Sequence, residues 1–333
     1  MPATPPLFSV VIPAYKAAAF ISQTLHSVYM QTETDLEIIV VNDGSPDNTE
    51  EVLLKETDPR LRIITQPNGG ECAARNRGVR EARGTYVAFL DSDDAWLPDH
   101  LALARTFFEK HPDYNWYSTR PKRTPDIQNA DFVPSSESFE GFWAVNWYLE
   151  GDAQTSSSSA VLRRSAIGSE DLFPVGVRMF GDCIGWCRFA NKNRMIGTAY
   201  RTTALYRIWG GSATDAFLAA SGGNKSGAGL DAFRLLQELF LQPDCPAEAK
   251  LFIQSNSLYN WWTKCRSTSL LNWLPEINCR KPVTGSILSL WLSLFSRASH
   301  FFAFAMGKIV RLKYNSIIRK QSVWASRTRQ KLS

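Results

Sequence analysis

Apolar runs alternate with amphipathic stretches over the first 110 residues of the chain. Four apolar runs have the length of buried parallel strands, at 7–13, 36–43, 61–67 and 85–91. Each is followed by a stretch with the apolar spacing of a helix, at 18–31, 46–56, 71–82 and 98–111. This alternation predicts an α/β fold with a doubly wound, mostly parallel sheet flanked by helices.

The pattern is less regular in the middle of the chain. Residues 112–150 predict loops and short strands, and residues 155–167 fit either a strand or a loop. Helical spacing returns at 182–192, and 195–208 has the composition of a strand.

A Gly/Ser-rich segment at 221–229 is the natural domain boundary. It predicts an N-terminal domain over 1–220 and a basic, helical C-terminal region over 230–333. Within that region, residues 250–333 carry 14 Lys and Arg against one acid, whereas the rest of the chain carries 23 against 31. A basic region on an acidic body favours a polyanionic surface, either a membrane or a nucleic acid.

The segment 283–310 decides between these surfaces. Its uncharged run, 283–296, has 14 residues, fewer than the roughly 20 that a spanning helix needs. Polar positions recur at spacings of three and four, which predicts an amphipathic helix on an anionic membrane surface. The alternative is a core helix packed on the N-terminal domain. Nucleic acid is disfavoured because no recognised binding fold or aromatic platform accompanies the charge.

Candidate ligand-binding clusters follow all four strands predicted in the first 110 residues. They are Pro13-Ala14-Tyr15, Asn42-Asp43-Gly44-Ser45, Asn68-Gly69-Gly70 and Asp91-Ser92-Asp93-Asp94. Taken singly, each is also an ordinary turn or helix cap. Because ligands of open α/β sheets bind beyond the carboxyl ends of the strands, their shared edge favours a ligand site.

The last cluster crowds three carboxylates into four positions, which costs repulsion unless a cation lies among them. The first strand is not followed by the glycine pattern of a dinucleotide site, and no phosphate-loop lysine motif is present. Aspartate oxygens suit Mg²⁺ or Mn²⁺, which could bridge Asp91 or Asp93 to a diphosphate. None of the four histidines lies in these clusters, so histidine acid–base chemistry is not expected.

Four motifs together resemble glycosyltransferase family 2, which has the GT-A fold. They are VVIPAYK, VVNDGSPDNT, NGGECAARNRGV and FLDSDDAWLP, and the resemblance extends over about residues 7–210. It implies an inverting, metal-dependent transfer of a sugar from a nucleotide diphosphate donor, with a UDP-sugar favoured. The implied acceptor is a glycan or lipid-linked molecule in cell-surface polysaccharide synthesis. With no secretory signal in the first residues, the expected location is cytoplasmic, peripheral at the inner face of the membrane.

The resemblance also implies roles for individual residues. Asp93 would hold Mn²⁺ or Mg²⁺ on the diphosphate, and Asp43 would bind the base. The donor-binding residues implied are Pro13, Ala14, Tyr15, Asp43, Asn68, Gly69, Arg75, Asn76, Asp91, Ser92 and Arg207.

The segment 180–188 resembles the family's EDxxxWxR motif. Asp182 falls in register as the general base, with Trp186 and Arg188 on the acceptor side, although a helix cap and a core tryptophan are the structural alternatives. Gly181 replaces the usual glutamate.

A second departure lies in the YRxHxGS-like segment 206–212, where Trp209 replaces a histidine that often helps at the metal or the diphosphate. Arg207 would compensate either electrostatically or only structurally. Together with Gly181, this departure motivates an alternative function, a nucleotide-sugar-binding scaffold whose catalysis has lapsed.

Overall fold

The computed structural model describes residues 5–127, 142–147, 155–177 and 180–212, with isolated residues 238–239, 242–243, 245–246 and 249. The chain divides into two compact units, Met1–Ala216 and Phe217–Ser333. The predicted linker at 221–229 and the segment 283–310 lie outside the described residues, so the predictions made for them stay predictions.

The first unit alternates strands and helices. Its strands are β1 (Phe8–Ala14), β2 (Leu36–Asp43), β3 (Leu61–Gln66), β4 (Tyr86–Phe89), β5 (Ala95–Trp96), β6 (Trp116–Thr124), β7 (Phe142–Asn146), β8 (Val161–Arg163) and β9 (Met195–Arg207). Its helices are α1 (Ile21–Tyr29), α2 (Thr49–Leu53), α3 (Glu71–Glu81), α4 (His100–Lys110) and α5 (Gly181–Lys192). The segment that fitted either a strand or a loop contains the three-residue strand β8 between two 3₁₀ turns, Ser157–Ser159 and Arg164–Ala166.

These strands form one sheet in the order β3-β2-β1-β4-β8-β6-β9-β5, with β7 paired to β9. Strand β1 runs parallel to β2 and β4, and β2 runs parallel to β3. Strand β8 is antiparallel to both β4 and β6, whereas β6 and β9 are parallel. The α/β class and the flanking helices are confirmed. The sheet is more mixed than predicted, because antiparallel pairs enter its second half.

Strand β1 lies at the centre of the core and is buried along its whole length. Val10 and Ile12 belong to a cluster that includes Leu25 of α1 and Phe107 of α4. On the opposite face, Val11 meets α3, where a Cβ at Gly78 would lie closer than 3.0 Å to the valine side chain. Burying such aliphatic side chains stabilises the fold by about 1.5–3 kcal/mol each.

The parallel strands β1 to β4 therefore bring four loops to the same edge of the sheet, as the sequence predicted. Within the part of the chain that the structure describes, no helix has both the length and the apolar character needed to span a bilayer.

Candidate functional site

Asp43, at the end of β2, organises the loop between β3 and α3. Its Oδ1 accepts hydrogen bonds from Gln66 Nε2 at 2.7 Å and from the Gly69 amide at 2.9 Å. Its Oδ2 accepts one from the Gly70 amide at 2.8 Å. Asn68 closes the loop by donating its side-chain amide to the Asp43 carbonyl at 2.9 Å. Since a carboxylate has about four acceptor positions, Asp43 retains roughly one for a ligand.

A glycine is required at position 44, where the loop after β2 meets the loop between β3 and α3. Its φ of +63° lies in the left-handed region, and a Cβ at this position would be 2.8 Å from the Asn68 amide nitrogen. Both the backbone conformation and the close approach exclude a side chain.

The loop after β1 offers the exposed surface at this edge. Pro13 and Ala14 are the buried end of the strand, whereas Tyr15 exposes 47% of its surface. Lys16 Nζ lies 5.5 Å from the centre of the Tyr15 ring. An exposed aromatic ring beside a cation suits stacking against a planar, electron-rich group.

Arg75 joins α3 to the end of β4. Its side chain is 2% exposed, and its Nη2 donates to Asp91 Oδ1 at 2.6 Å and to Glu71 Oε1. Burial opposes the charged form, but the carboxylates of Glu71, Asp91 and Asp182 raise the pKa of Arg75 above its usual value. Nε and Nη1 are buried without a hydrogen-bond partner in the described part of the chain, and the guanidinium lies 5.6 Å from the centre of the Phe173 ring.

Glu71 is a site residue that the sequence analysis missed. The Arg75 guanidinium lowers the pKa of Glu71, but burial and the charges of Asp91 and Asp182 together raise it to about 7. Water reaches 58% of the Glu71 side chain and weakens this rise. The sequence feature that could have identified Glu71 is its position in the first turn of α3, four residues before Arg75, where the two side chains lie on the same face of the helix.

Asp93 is held by residues at the end of β9 and just after it. Its Oδ2 accepts a hydrogen bond from the Trp209 indole Nε1 at 2.9 Å, and its carbonyl accepts one from Arg207 Nε at 2.7 Å. Burial, reinforced by the neighbouring Asp91 charge, raises the pKa of Asp93 despite the indole hydrogen bond. A cation beside the Asp93 carboxylate would therefore stabilise its ionised form.

Asp94 has a structural position. It is 1% exposed, its Oδ1 accepts a hydrogen bond from the Arg207 amide at 2.8 Å, and its Oδ2 accepts one from Ser158 Oγ. Burial and the charges of Asp91 and Asp93 raise the pKa of Asp94 well above its usual range. The role of Ser158 could not be read from the run of four serines that contains it.

The carboxylates fit a divalent cation of the magnesium type. Among the described residues, the structure gives Asp91 Oδ2 and Asp93 Oδ1 no hydrogen-bond partner, and no group of three or more His, Cys, Asp or Glu side chains could hold a metal. Mg²⁺ is commonly held by one or two carboxylates together with substrate phosphates and water. Asp93, with Asp91 beside it, supplies such a donor set.

The Arg207 side chain is engaged in contacts within the protein. Its Nη2 donates to Gln23 Oε1, and its guanidinium lies 4.6 Å from the centre of the Phe20 ring. Together with its bond to the Asp93 carbonyl, these contacts fix the end of β9 against the start of α1 and against the aspartate cluster. Such contacts are of the kind expected if Arg207 compensates only structurally for the histidine that Trp209 replaces. Its electrostatic role and its role in donor binding stay predictions.

Asp182 lies in the first turn of α5 and joins the same cluster. Phe180 precedes the helix with φ of +63°, a strained value for a residue with a side chain. Ser157 Oγ lies 3.5 Å from Asp182 Oδ2, at the outer limit of a hydrogen bond. A Cβ at Gly181 would lie closer than 3.0 Å to Cys72 Sγ. The cysteine thus occupies the space that a side chain at 181 would enter.

Trp186 belongs to the core. It is 3% exposed, and its ring lies 5.2 Å from Phe173 and 5.5 Å from Phe89, both edge to face. Arg188 Nη1 approaches the carbonyls of Asp171 and Leu172 at 3.3 and 3.4 Å. An effect of these two residues on an acceptor would therefore act through the position of α5 and the segment before it.

Asn76 and Ser92 also make contacts within the protein. Asn76 exchanges two hydrogen bonds with the backbone of Phe173, at 2.7 and 2.9 Å. The Ser92 carbonyl accepts a hydrogen bond from Thr24 Oγ1 at 2.9 Å. Asn76 is buried at 2% exposure, so it supports the site from below, and its predicted place near the base and phosphates stays untested.

Comparison with known proteins finds similarity to one sequence family. Residues 9–167 match the model of glycosyl transferase family 2. An uncharacterized glycosyltransferase of Rickettsia felis is 32% identical over 209 residues, which cover 62% of this chain and 34% of that protein. Chondroitin synthase of Pasteurella multocida is 43% identical over 124 residues, or 36% of this chain and 13% of the synthase. The chain thus matches about a third or less of these relatives' length.

A solved structure supports the fold. TarS 1–349 of S. aureus in complex with UDP-GlcNAc superposes with a TM-score of 0.59 at 21% identity, covering 80% of this chain and 74% of TarS 1–349. The GT-A fold expected from the four motifs is confirmed.

Proposed function

Because its residues 9–167 match the model of glycosyl transferase family 2, we propose that the chain transfers a sugar, with inversion, from a UDP-sugar to a glycan or lipid-linked acceptor. One observation carries this proposal. The Arg75 guanidinium donates a hydrogen bond to Asp91 at 2.6 Å. The negative charge of Asp182 also raises the pKa of Arg75. The residues implied for donor binding and for acceptor deprotonation therefore lie around one buried cation.

The comparisons support the substrate classes. TarS was crystallised with UDP-GlcNAc, which favours a UDP-sugar donor here. Chondroitin synthase favours an acceptor that is a growing polysaccharide.

Donor binding is assigned to the loops after β1, β2 and β3. The exposed Tyr15 ring stacks on the base, and the remaining acceptor position of Asp43 receives a base N–H. Gly69 and Gly70, already fixed by Asp43, shape the floor beneath the nucleoside. The backbone of this loop is therefore set before the donor arrives, which lowers the entropic cost of binding.

Asp93 holds the divalent cation, Mn²⁺ or Mg²⁺, with Asp91 beside it. When bound, this ion supplies positive charge to the diphosphate leaving group. Arg75 holds Asp91 in place and neutralises part of the cluster, so that three carboxylates can remain close together before the donor arrives.

Asp182 acts as the general base. Among the described residues, its one hydrogen bond with another side chain is the long one from Ser157, which leaves its oxygens able to accept the proton of an acceptor hydroxyl. Its place in the first turn of α5 puts the carboxylate beside the backbone N–H groups at the N-terminal end of the helix. A general base contributes about 10²–10⁴-fold to the rate.

The test is UDP release from a panel of UDP-sugars with Mn²⁺ or Mg²⁺, together with donor binding by calorimetry. Asp182→Asn should lose about 10²–10⁴-fold in turnover while donor affinity stays within about twofold. Asp93→Ala should lose both turnover and metal-dependent donor binding. The exposed Asp113→Asn is the matched control and should change neither. If the wild type neither binds nor consumes any nucleotide sugar, the proposal is wrong.

The alternative function, a scaffold that binds nucleotide sugar without turning it over, predicts another pattern. Wild type and Asp182→Asn would then bind the donor equally, and neither would release UDP with any acceptor supplied.

The basic C-terminal region is proposed to hold the enzyme on the inner face of the cytoplasmic membrane. Its support is the charge of residues 250–333, since this part lies outside the described residues. Co-sedimentation of the full chain with phosphatidylglycerol vesicles, but not with neutral phosphatidylcholine vesicles, is expected at low salt. Equal recovery with both lipids would remove this part of the proposal.

A further inference from the structure

Trp209 is fixed in position by contacts on its ring. The indole packs edge to face against Phe20 at a centroid distance of 4.8 Å. On another side, a Cβ at Gly211 would lie closer than 3.0 Å to the ring, so the backbone there lies directly against it. The same indole forms part of the wall of a pocket of about 490 Å³ that also includes Lys16 and Asn48.

The polar end of this ring points at Asp93. Nε1 donates to Asp93 Oδ2 at 2.9 Å, while Oδ1 has no hydrogen-bond partner among the described residues. An indole N–H can donate a hydrogen bond but has no lone pair with which to bind a metal. Trp209 therefore orients the carboxylate without competing for the cation.

We propose that Trp209 is a positioning residue, which fixes the Asp93 carboxylate through the indole N–H and leaves Oδ1 as the oxygen offered to a divalent cation. The inference rests on the proposed function, in which Asp93 holds the metal. Groups that orient metal ligands commonly change metal affinity by about 10–100-fold when they are removed. The replacement of a histidine by Trp209 then changes how the site is held and leaves its carboxylate ligand in place.

Mn²⁺ binding by the full chain in saturating UDP tests this, with free Mn²⁺ counted by electron paramagnetic resonance. Trp209→Phe keeps an aromatic ring against Phe20 and removes the N–H donor. It should weaken Mn²⁺ binding by about 10-fold, while UDP affinity measured without metal stays within about twofold. Trp116→Phe is the matched control, because its buried indole N–H has no hydrogen-bond partner among the described residues. It should leave Mn²⁺ affinity unchanged.

A second variant guards against poor folding of the first. Gly211→Ala places a Cβ against the indole and should displace the ring, so it should weaken Mn²⁺ binding in the same direction. Unchanged Mn²⁺ affinity in Trp209→Phe, or equal losses of Mn²⁺ and metal-free UDP affinity, would overturn the positioning role alone. A wild type that binds UDP but gains no affinity from Mn²⁺ would overturn the metal site, and this inference with it.

Discussion

Gly181 and Cys72 give a quantitative test of how the first turn of α5 packs against α3. A Cβ added at Gly181 meets Cys72 Sγ at less than 3.0 Å, whereas the next neighbours, the Cβ atoms of Val177 and Cys72, lie at 3.8 and 3.9 Å. Among the described residues, the sulfur is therefore the single obstacle to a side chain at this position. The backbone of Gly181 is not in the left-handed region, so alanine meets no conformational barrier there.

The expected energies follow from this geometry. Overpacking a core site costs about 1–3 kcal/mol, and the obstacle is one atom at the end of one rotatable bond. Gly181→Ala should therefore destabilise the fold by about 1–2 kcal/mol, even though alanine gains up to about 1 kcal/mol over glycine within a helix. Cys72→Ala alone should cost about 1 kcal/mol, because it removes a buried sulfur.

The double variant leaves an ordinary contact of 3.9 Å between the two Cβ atoms. It should be more stable than the sum of the single changes by about 1–2 kcal/mol. Urea unfolding of the four proteins measures this coupling from midpoints at constant slope. Additivity within about 0.5 kcal/mol would refute the reasoning, because it would mean that the sulfur does not fill the space beside Gly181.

Three further predictions concern the carboxylate cluster and its arginine. The folded pKa of Asp94 lies above its unfolded value, so the folded state binds more protons and apo stability should fall as pH rises above about 4. Asp94→Asn should make this fall of the melting temperature smaller, while Glu71 and Asp93 still contribute to it, and an unchanged slope would contradict the assignment to Asp94. Arg75→Met leaves the Asp91 carboxylate without its ion-pair partner and should lower the free energy of unfolding in urea by about 3 kcal/mol. Arg75→Lys keeps a positive charge and should cost less. Equal losses for the two variants would count against the ion pairs of Arg75 with Glu71 and Asp91. Asp43→Asn should cost about 1–3 kcal/mol, because one amide donor of the loop loses its acceptor, and UDP binding should weaken with it; unchanged unfolding would show that the loop is held otherwise.

The parallel strands β1 to β4 could be predicted from the sequence because each of them is marked by an apolar run. The predicted strand 36–43 coincides with β2, Leu36–Asp43. A run of apolar residues of that length is stable only when both of its faces are covered. The rule that ligands bind beyond the carboxyl ends of parallel strands then placed four loops at one edge before any contact was known.

The contacts within the site were not readable, because they join distant parts of the chain. Ser158 reaches Asp94 across 64 residues, and Trp209 reaches Asp93 across 116. A serine in a run of four serines carries no periodic signal, and β8 is three residues long, too short for alternation to identify. Such partners are selected by the packed fold, and only the fold reveals them.

The two departures from the family motifs bear on catalysis through these distant contacts. Gly181 fits because Cys72 fills the adjacent space, and Asp182 keeps its place in the first turn of α5. Trp209 donates to one oxygen of Asp93 and leaves the other without a partner among the described residues. Neither substitution removes a carboxylate oxygen on which the proposed mechanism depends. The departures that motivated a lapsed scaffold are therefore compatible with an active enzyme, and UDP release by the wild type, reduced about 10²–10⁴-fold in Asp182→Asn, distinguishes the enzyme from the scaffold.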